Sequence, residues 1–383
     1  MKRSIAVLTT GRQDWGILQS TCRLLAEDPE FDLQLIVGGM HCCKRFGSTR
    51  RLIAEQGFTI AKELCWIPED EPTSCQTQTA SVVKMLGDVL ERQNPDALVL
   101  AGDRFETAGA ALAATLARVP IVHIHGGEET EGAIDNVLRH AITKLSHLHL
   151  VSHMDHARRV IAMGEDPASV HVVGAPGLDN LHRSDLAQRE ELEEHLGITL
   201  RPPVVLVTVH PATLSSDEPS CEAKAVCAAM DAIEATYVIT LPNSDPGNEP
   251  IRAALLSAGA CPGRVAVEAL GERRYWGLMK LADAMLGNTS SALIEAPMLG
   301  LPAVNVGDRQ KGRLRGENVI DSHPEADSIM RALRTILTST FRTRLKGRPS
   351  PFGDGQSGRM IVEVLHFWTP PRPPRKRWTG GPR

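Results

Sequence analysis

Ala97-Leu98-Val99-Leu100-Ala101-Gly102-Asp103-Arg104, then Ala108–Leu116, then Pro120-Ile121-Val122-His123-Ile124-His125-Gly126-Gly127-Glu128 is the stretch that decides the fold. Each apolar run is short and continuous. It lacks the polar alternation of a half-exposed strand, so it reads as a strand buried on both faces. The Ala-rich segment between the runs has helical period and length. Strand, helix and strand make a βαβ unit of a parallel sheet covered by helices. The same grammar extends toward the start of the chain, with Ile5–Leu8 and Leu33–Val37 as strands and helical patterns at Ile17–Leu25 and Val82–Leu90. It restarts at Val204–Val209, Thr236–Leu241, Val265–Val267, Ala284–Leu286 and Ala303–Val306. Two successive series predict an α/β protein of two doubly wound, Rossmann-like domains.

A chain of 383 residues suits two such domains. The boundary falls near Leu181–Pro203, where polar Asp185–Leu196 leads into Arg201-Pro202-Pro203. Residues 1–180 are therefore expected to form the first domain and residues 200–350 the second. A last apolar helix is expected over 356–368, followed by a proline-dense, basic tail over 369–383 that reads as disordered. Net charge is -4, which gives no whole-protein attraction to nucleic acid or to a membrane surface. Aromatics make up 4%, too few for base-stacking platforms. Ile5-Ala6-Val7-Leu8 is too short for a signal-peptide core or a membrane span, so a cytoplasmic protein is expected. The eight cysteines include no C-x-x-C pair and no zinc-finger spacing, and read as scattered reduced thiols. Cys42-Cys43 reads as two small buried residues.

In doubly wound domains ligands sit beyond the carboxyl ends of the strands, and polar clusters fall there. Thr9-Thr10-Gly11-Arg12 leads into a helix whose start could face an anion, with Arg12 as phosphate donor, or be an ordinary βα turn. It is not the G-x-G-x-x-G fingerprint, so no nicotinamide cofactor is suggested. Asp103 beside Arg104 is either an acid–base position or a helix cap. Gly126-Gly127 is expected to bring the backbone close to a ligand and aim Glu128 into the cleft. His123 and His125 share a strand face, but no third metal ligand stands near them. Asp135 and Arg139 are four apart on a helix and can pair. In the second series His210-Pro211 and Pro242-Asn243 end strands. Gly287 to Ser290-Ser291 opens a helix that suits a diphosphate, and Glu295 one turn on can take ribose hydroxyls. Arg309 and Arg313 belong to a dense basic run that is either a solvated face or an anion site.

The blocks Gly102-Asp103-Arg104-Phe105-Glu106, His125-Gly126-Gly127-Glu128, Ile134-Asp135 to Lys144, Gly287-Asn288-Thr289-Ser290-Ser291 and Gly307-Asp308-Arg309-Gln310-Lys311-Gly312-Arg313 together resemble the hydrolysing UDP-N-acetylglucosamine 2-epimerases. These form the sialic-acid-pathway branch of a larger epimerase family. The resemblance runs in order from about residue 4 to residue 365. It implies a glycosyltransferase-B-like fold with the active site in an interdomain cleft, and a last helix that crosses back to the first domain. It implies conversion of UDP-N-acetylglucosamine to N-acetylmannosamine and UDP, with no metal or redox cofactor, in a homodimer or homotetramer. Asp103, Glu128 and Asp135 match the family's catalytic carboxylates and His210 its second-domain histidine. Arg12, Ser290 and Ser291 match diphosphate binders, Glu295 a ribose binder and Arg139 the partner of Asp135; Arg104, Asn243, Arg309 and Arg313 join the substrate-binding set. One departure is Asn136, where relatives often carry a second acid.

The chemistry explains the residue types. The C2 proton of the sugar becomes removable only as the C1–O bond breaks and positive charge grows at C1. Donors must stabilise the departing diphosphate, a carboxylate must take the proton, and a negative group should face the cationic centre. The same blocks are silent on C4 and C6. A 2,4-diacetamido-6-deoxy sugar on UDP or GDP, as in legionaminic acid synthesis, therefore stays open. So do a non-hydrolysing 2-epimerase, a glycosyltransferase of the same fold and a non-catalytic nucleotide-sugar sensor.

Overall fold

The computed structural model describes residues 2–69, 73–131, 134–212, 218, 220–242 and 247–379. Among the described residues thirteen strands form two sheets, every paired strand parallel. The first sheet contains β1 (Arg3–Thr9), β2 (Phe31–Gly38), β3 (Ile60–Leu64), β4 (Ala97–Ala101), β5 (Ile121–Ile124), β6 (Leu148–Val151) and β7 (Val170–Val172), in the order β3-β2-β1-β4-β5-β6-β7. The second contains β8 (Val204–Thr208), β9 (Thr236–Thr240), β10 (Arg264–Val267), β11 (Ala284–Gly287), β12 (Ala303–Val306) and β13 (Val319–Ser322), in the order β10-β9-β8-β11-β12-β13. Strand order reverses between β1 and β4 in one sheet and between β8 and β11 in the other. Those are the topological switch points where doubly wound domains hold ligands.

Every apolar run read as a strand falls on one, with Val204–Val209 and Thr236–Leu241 each running a residue past β8 and β9. The quoted stretch is β4, the helix Phe105–Leu116 and β5, with Leu98–Ala101 in register with Ile121–Ile124. Strands β3, β6, β7 and β13 carry no such run. Ala61, Lys62 and Glu63 of β3 are exposed because it is an edge strand, and β7 and β13 are also edges. Strand β6 is central, but His149 interrupts its apolar run.

The described residues of Met1–Glu128, Asp135–Asn180 and Gly355–Arg383 form one compact unit, and those of Glu129–Ile134 and Leu181–Asp354 a second. The second unit takes in segments that the expected bounds leave outside it, residues 351–354 among them. Glu129–Ile134 belongs with the second unit, and so does Leu181–Leu200, which the sequence treats as a linker. In the first unit the helix Ser357–Phe367 buries Ile361, Val362 and Leu365 with Leu18, Cys22 and Leu25 of the helix Arg12–Glu27. The Asp179 carboxylate accepts from the Ser357 and Gly358 amides at 2.9 and 2.7 Å and from Ser20 Oγ at 2.9 Å. A carboxylate at a helix start satisfies amides that the helix cannot, and complements its dipole.

Residues 369–379 of the basic tail lie along the first unit. Arg372 pairs with Asp96 at 2.9 Å, and Lys376 pairs with the buried carboxylate of Glu165 at 2.5 Å. The Thr379 amide donates to the Gly164 carbonyl at 3.0 Å. Composition identified a segment that builds no core of its own. It could not show that acids elsewhere in the unit receive its cations.

Candidate active site

At the first switch point β1 ends in Thr9-Thr10-Gly11. The Asp14 carboxylate turns back there and accepts from Thr9 Oγ1, Thr10 N, Thr10 Oγ1 and Gly11 N, at 2.8 to 3.0 Å. Asp14 sits three residues beyond the helix cap, the position whose side chain reaches back to cap amides. The Thr10 and Gly11 amides are thereby taken by the chain's own acid, and Arg12 stands exposed at the turn. Buried His41 bonds Thr9 Oγ1 at 2.9 Å and Thr49 Oγ1 at 2.6 Å. Burial pushes its pKa down.

Strands β4 and β5 carry the acids. Gly102, at φ +79°, turns the chain so that Asp103 stands beyond β4. Arg139, 1% exposed, bonds the Asp103 carboxylate, the Glu128 carbonyl at 2.8 Å and Asn136 Oδ1 at 2.9 Å. Helical spacing put Arg139 on the Asp135 side of its helix; the structure adds Asp103 from another strand. Asn136, in place of a second acid, meets the guanidinium with its amide oxygen. Glu128 is buried, and its Oε1 accepts from His125 Nδ1 at 2.7 Å and from Ser152 Oγ at 2.9 Å, while Ser152 Oγ lies 2.9 Å from His156 Nδ1. His125 holds φ +67°, a strained conformation for a non-glycine residue. Asp135 opens the helix Asp135–Leu145 and is half-buried. Arg104 grips buried Glu106 with two hydrogen bonds, at 3.1 and 3.3 Å. His123 and His125 do not converge. His123 Nε2 donates to the Gly102 carbonyl at 2.9 Å, and burial pushes its pKa down to about 3. Burial likewise takes His156 down to about 4.

At the second switch point His210 follows β8 and Asn288 follows β11. Buried Asn288 accepts from the His210 amide at 2.7 Å, donates to the His210 carbonyl at 2.9 Å and donates to Glu222 at 2.6 Å. Arg309 bonds the Pro211 carbonyl at 3.2 Å and, with Gln310, the Asn288 carbonyl. Arg313 bonds Thr130 Oγ1 at 3.1 Å, so Arg309 and Arg313 both engage the polar framework. Ser290 and Ser291 are half-buried at the start of Ser291–Ile294, a single turn followed by a 3-10 turn over Ala296–Leu299. So short a helix has little dipole, and hydroxyls and amides must do the work expected of it. Tyr275, bonded to Ser291 and Thr289 and near Glu295, has its pKa raised to about 12 by burial. Asn243 lies outside the described residues.

The UDP-N-acetylglucosamine 2-epimerase family model matches residues 23–366. The chain belongs to this family. It is an enzyme acting on nucleotide sugars. It is 33% identical over 345 residues to a GDP/UDP-N,N'-diacetylbacillosamine 2-epimerase (hydrolyzing) of Campylobacter jejuni, covering 89% of each chain. It is 32% identical over 369 residues to the UDP-N,N'-diacetylbacillosamine 2-epimerase (hydrolyzing) of Legionella pneumophila, covering 95% of this chain and 96% of that one. A UDP-N-acetylglucosamine 2-epimerase of Neisseria meningitidis is 31% identical over 336 residues, 87% of each chain. The two-domain glycosyltransferase-B-like fold is shared with a UDP-GlcNAc 2-epimerase from Neisseria meningitidis, solved bound to UDP-GlcNAc. That match has TM-score 0.81 at 19% identity and covers 96% of this chain and 100% of that one.

Around these strand tips the structure adds Asp14, His41, Glu222 and Tyr275, to which sequence reasoning gave no role. Asp14 carries a readable signal in its spacing from Gly11. Glu222 meets Asn288 across 66 residues, and no local pattern announces such a contact. No helix among the described residues is long and apolar enough to cross a membrane.

Proposed function

We propose that the chain is a hydrolysing 2-epimerase of a UDP-linked 2-acetamido sugar, taking UDP-N-acetylglucosamine to N-acetylmannosamine and UDP. The observation that carries it is the acid group at the tips of β4 and β5. One buried guanidinium holds Asp103 and the Glu128 backbone, while His125 and Ser152 fix the Glu128 carboxylate. Glu128 takes the C2 proton while the His125 ring and the Ser152 hydroxyl hold its carboxylate in place, an arrangement that a helix cap or a structural ion pair does not need. As the C1–O bond breaks, the electron pair of the C2–H bond forms the C1–C2 double bond of a glycal. UDP leaves with the C1 oxygen. Water then adds its oxygen to C1, and a proton adds to C2 from the opposite face. Asp135 serves as the second acid–base group, and Asp103 faces the cationic centre or shares the base role. Arg12, Ser290, Ser291, Arg309 and Arg313 bind the diphosphate with His210 beside it, Glu295 binds the ribose, and Arg104 braces Glu106 behind the first acid. The enzyme works in the cytoplasm, as a homodimer or homotetramer.

The names of the Campylobacter and Legionella relatives favour a second reading, the same chemistry on a UDP- or GDP-linked 2,4-diacetamido-6-deoxy sugar. The test incubates the protein with UDP-N-acetylglucosamine, and in parallel with the diacetamido nucleotide sugar, in deuterated water. NMR should show free 2-epimer carrying deuterium at C2 and equimolar nucleotide. Turnover of the diacetamido sugar alone moves the assignment to it. A nucleotide-linked epimer, or an acceptor requirement without deuterium, sinks both. Glu128→Gln should lower kcat about a hundredfold or more. Turnover within tenfold of wild type in both Glu128→Gln and Asp103→Asn would remove the proposed base.

A further inference from the structure

Cys42, Glu63 and Cys65 stand outside everything assigned above. Cys42 is buried in the segment after β2, Glu63 lies in β3, and Cys65 follows β3 at the surface. Their ligand atoms, two sulfurs and a carboxylate oxygen, all lie within 4.8 Å of one another, and among the described residues they alone form such a His/Cys/acid group. We propose that these three side chains bind a thiophilic divalent cation, zinc by preference, with solvent at the fourth position.

Two thiolates and a carboxylate are a donor set that zinc favours over harder ions. Tetrahedral zinc with its sulfurs about 2.3 Å away needs those sulfurs only about 3.8 Å apart, within the spacing found here. The surroundings complete the site. Arg50 Nη1 donates to Glu63 Oε2 at 2.7 Å and lies 3.9 Å from Cys65 Sγ. It orients one carboxylate oxygen and leaves the other for the ion, as outer-shell partners of metal ligands do. Charge closes as well, since the ion and Arg50 together balance the two thiolates and the carboxylate. Exposed Glu63 and Cys65 give the ion a way in.

The site sits one residue beyond His41, which bonds Thr9 at the tip of β1. An ion there joins the segment after β2 to the segment after β3 and steadies that tip. It takes no part in the reaction.

The test uses the reduced full chain, stripped with a chelator and titrated with Co2+ and then Zn2+. One equivalent of cobalt should bind with thiolate-to-metal charge-transfer absorption that zinc removes. Zinc should raise Tm by on the order of 5 °C. Cys65→Ser, at an exposed position, should abolish the absorption and the Tm shift while the metal-free Tm stays unchanged. Glu63→Gln should weaken binding tenfold or more. Cys261→Ser, exposed elsewhere, should alter neither reading. Absence of thiolate absorption, or full binding in Cys65→Ser, overturns the proposal. So does a Cys42–Cys65 disulfide found by peptide mass spectrometry in protein isolated with zinc present.

Discussion

The two switch points solve one problem with different means. At the first, Asp14 gathers the loop after β1 with a carboxylate, and neighbouring β4 and β5 present acids tied to a buried guanidinium. At the second, Asn288 gathers the loop after β8 with a neutral amide, and the cation Arg309 bonds its carbonyl. The chemistry proposed for each side follows this difference. A carboxylate brace suits a unit that handles a developing cation at the sugar. A neutral brace adds no negative charge of its own beside a phosphate. The glycines at the two tips differ too. A Cβ on Gly287 would lie 1.9 Å from the Thr208 carbonyl oxygen, whereas one on Gly102 would have nothing within 4 Å. Gly287 is required by a close backbone approach, Gly102 only by its φ of +79°.

The largest expected effect tests that last contrast. Gly287→Ala should cost more than about 4 kcal/mol and leave the second unit unfolded, while Gly102→Ala should cost about 1–2 kcal/mol. Equal urea midpoints for the two variants would break the comparison. Next, Asp14→Ala should destabilise the first unit by about 3 kcal/mol, because several donors lose a charged acceptor, and Asn288→Ala should cost about 2 kcal/mol. Hydrogen exchange should place the first loss at residues 9–14 and the second at residues 208–211.

Acid should separate the units further. His41, His123, His147, His149 and His156, whose pKa values burial pushes down, all lie in the first unit. A histidine with a lowered folded pKa binds its proton preferentially in the unfolded chain, so its contribution is intact above 6.5 and lost as pH falls below that value. For His123 and His156 the loss is about 1.4 kcal/mol each per pH unit. Calorimetry from pH 7 to pH 5 should show the first unit's transition falling ahead of the second's; parallel decline would refute this. The smallest effect concerns the tail. Burial pushes the pKa of Glu165 up, but hydrogen bonds from His149, Lys144 and Lys376 outweigh it and hold the value down to about 2. Lys376→Ala should cost about 1 kcal/mol at pH 7. That difference should shrink as pH falls from 4.5 through 2, below which Glu165 is protonated in both states.

What was legible in the sequence follows burial. Central runs such as Val204–Val209 are apolar because both faces are covered, and they mark themselves. Edge strands such as Ile60–Leu64 are half in water, and their composition resembles a loop. Likewise Asp103, Glu128 and His210 drew notice as candidates because strand tips are where doubly wound domains place ligands. The partnership of Arg139 with Asp103 spans 36 residues, and packing alone creates it. The tail hid its role for the same reason: its partners Asp96 and Glu165 are distant in sequence and carry no mark of the pairing.

The helix Ser357–Phe367 bears on how the protein is made. Its Ile361, Val362 and Leu365 belong to the core of the unit that begins with β1. A ribosome releases Leu181–Asp354 first, so the second unit can fold while the first still lacks one wall. For that interval the apolar face of Arg12–Glu27 is uncovered, a natural target for a holdase chaperone. Nonsense codons late in the message should therefore injure the part of the protein synthesised earliest.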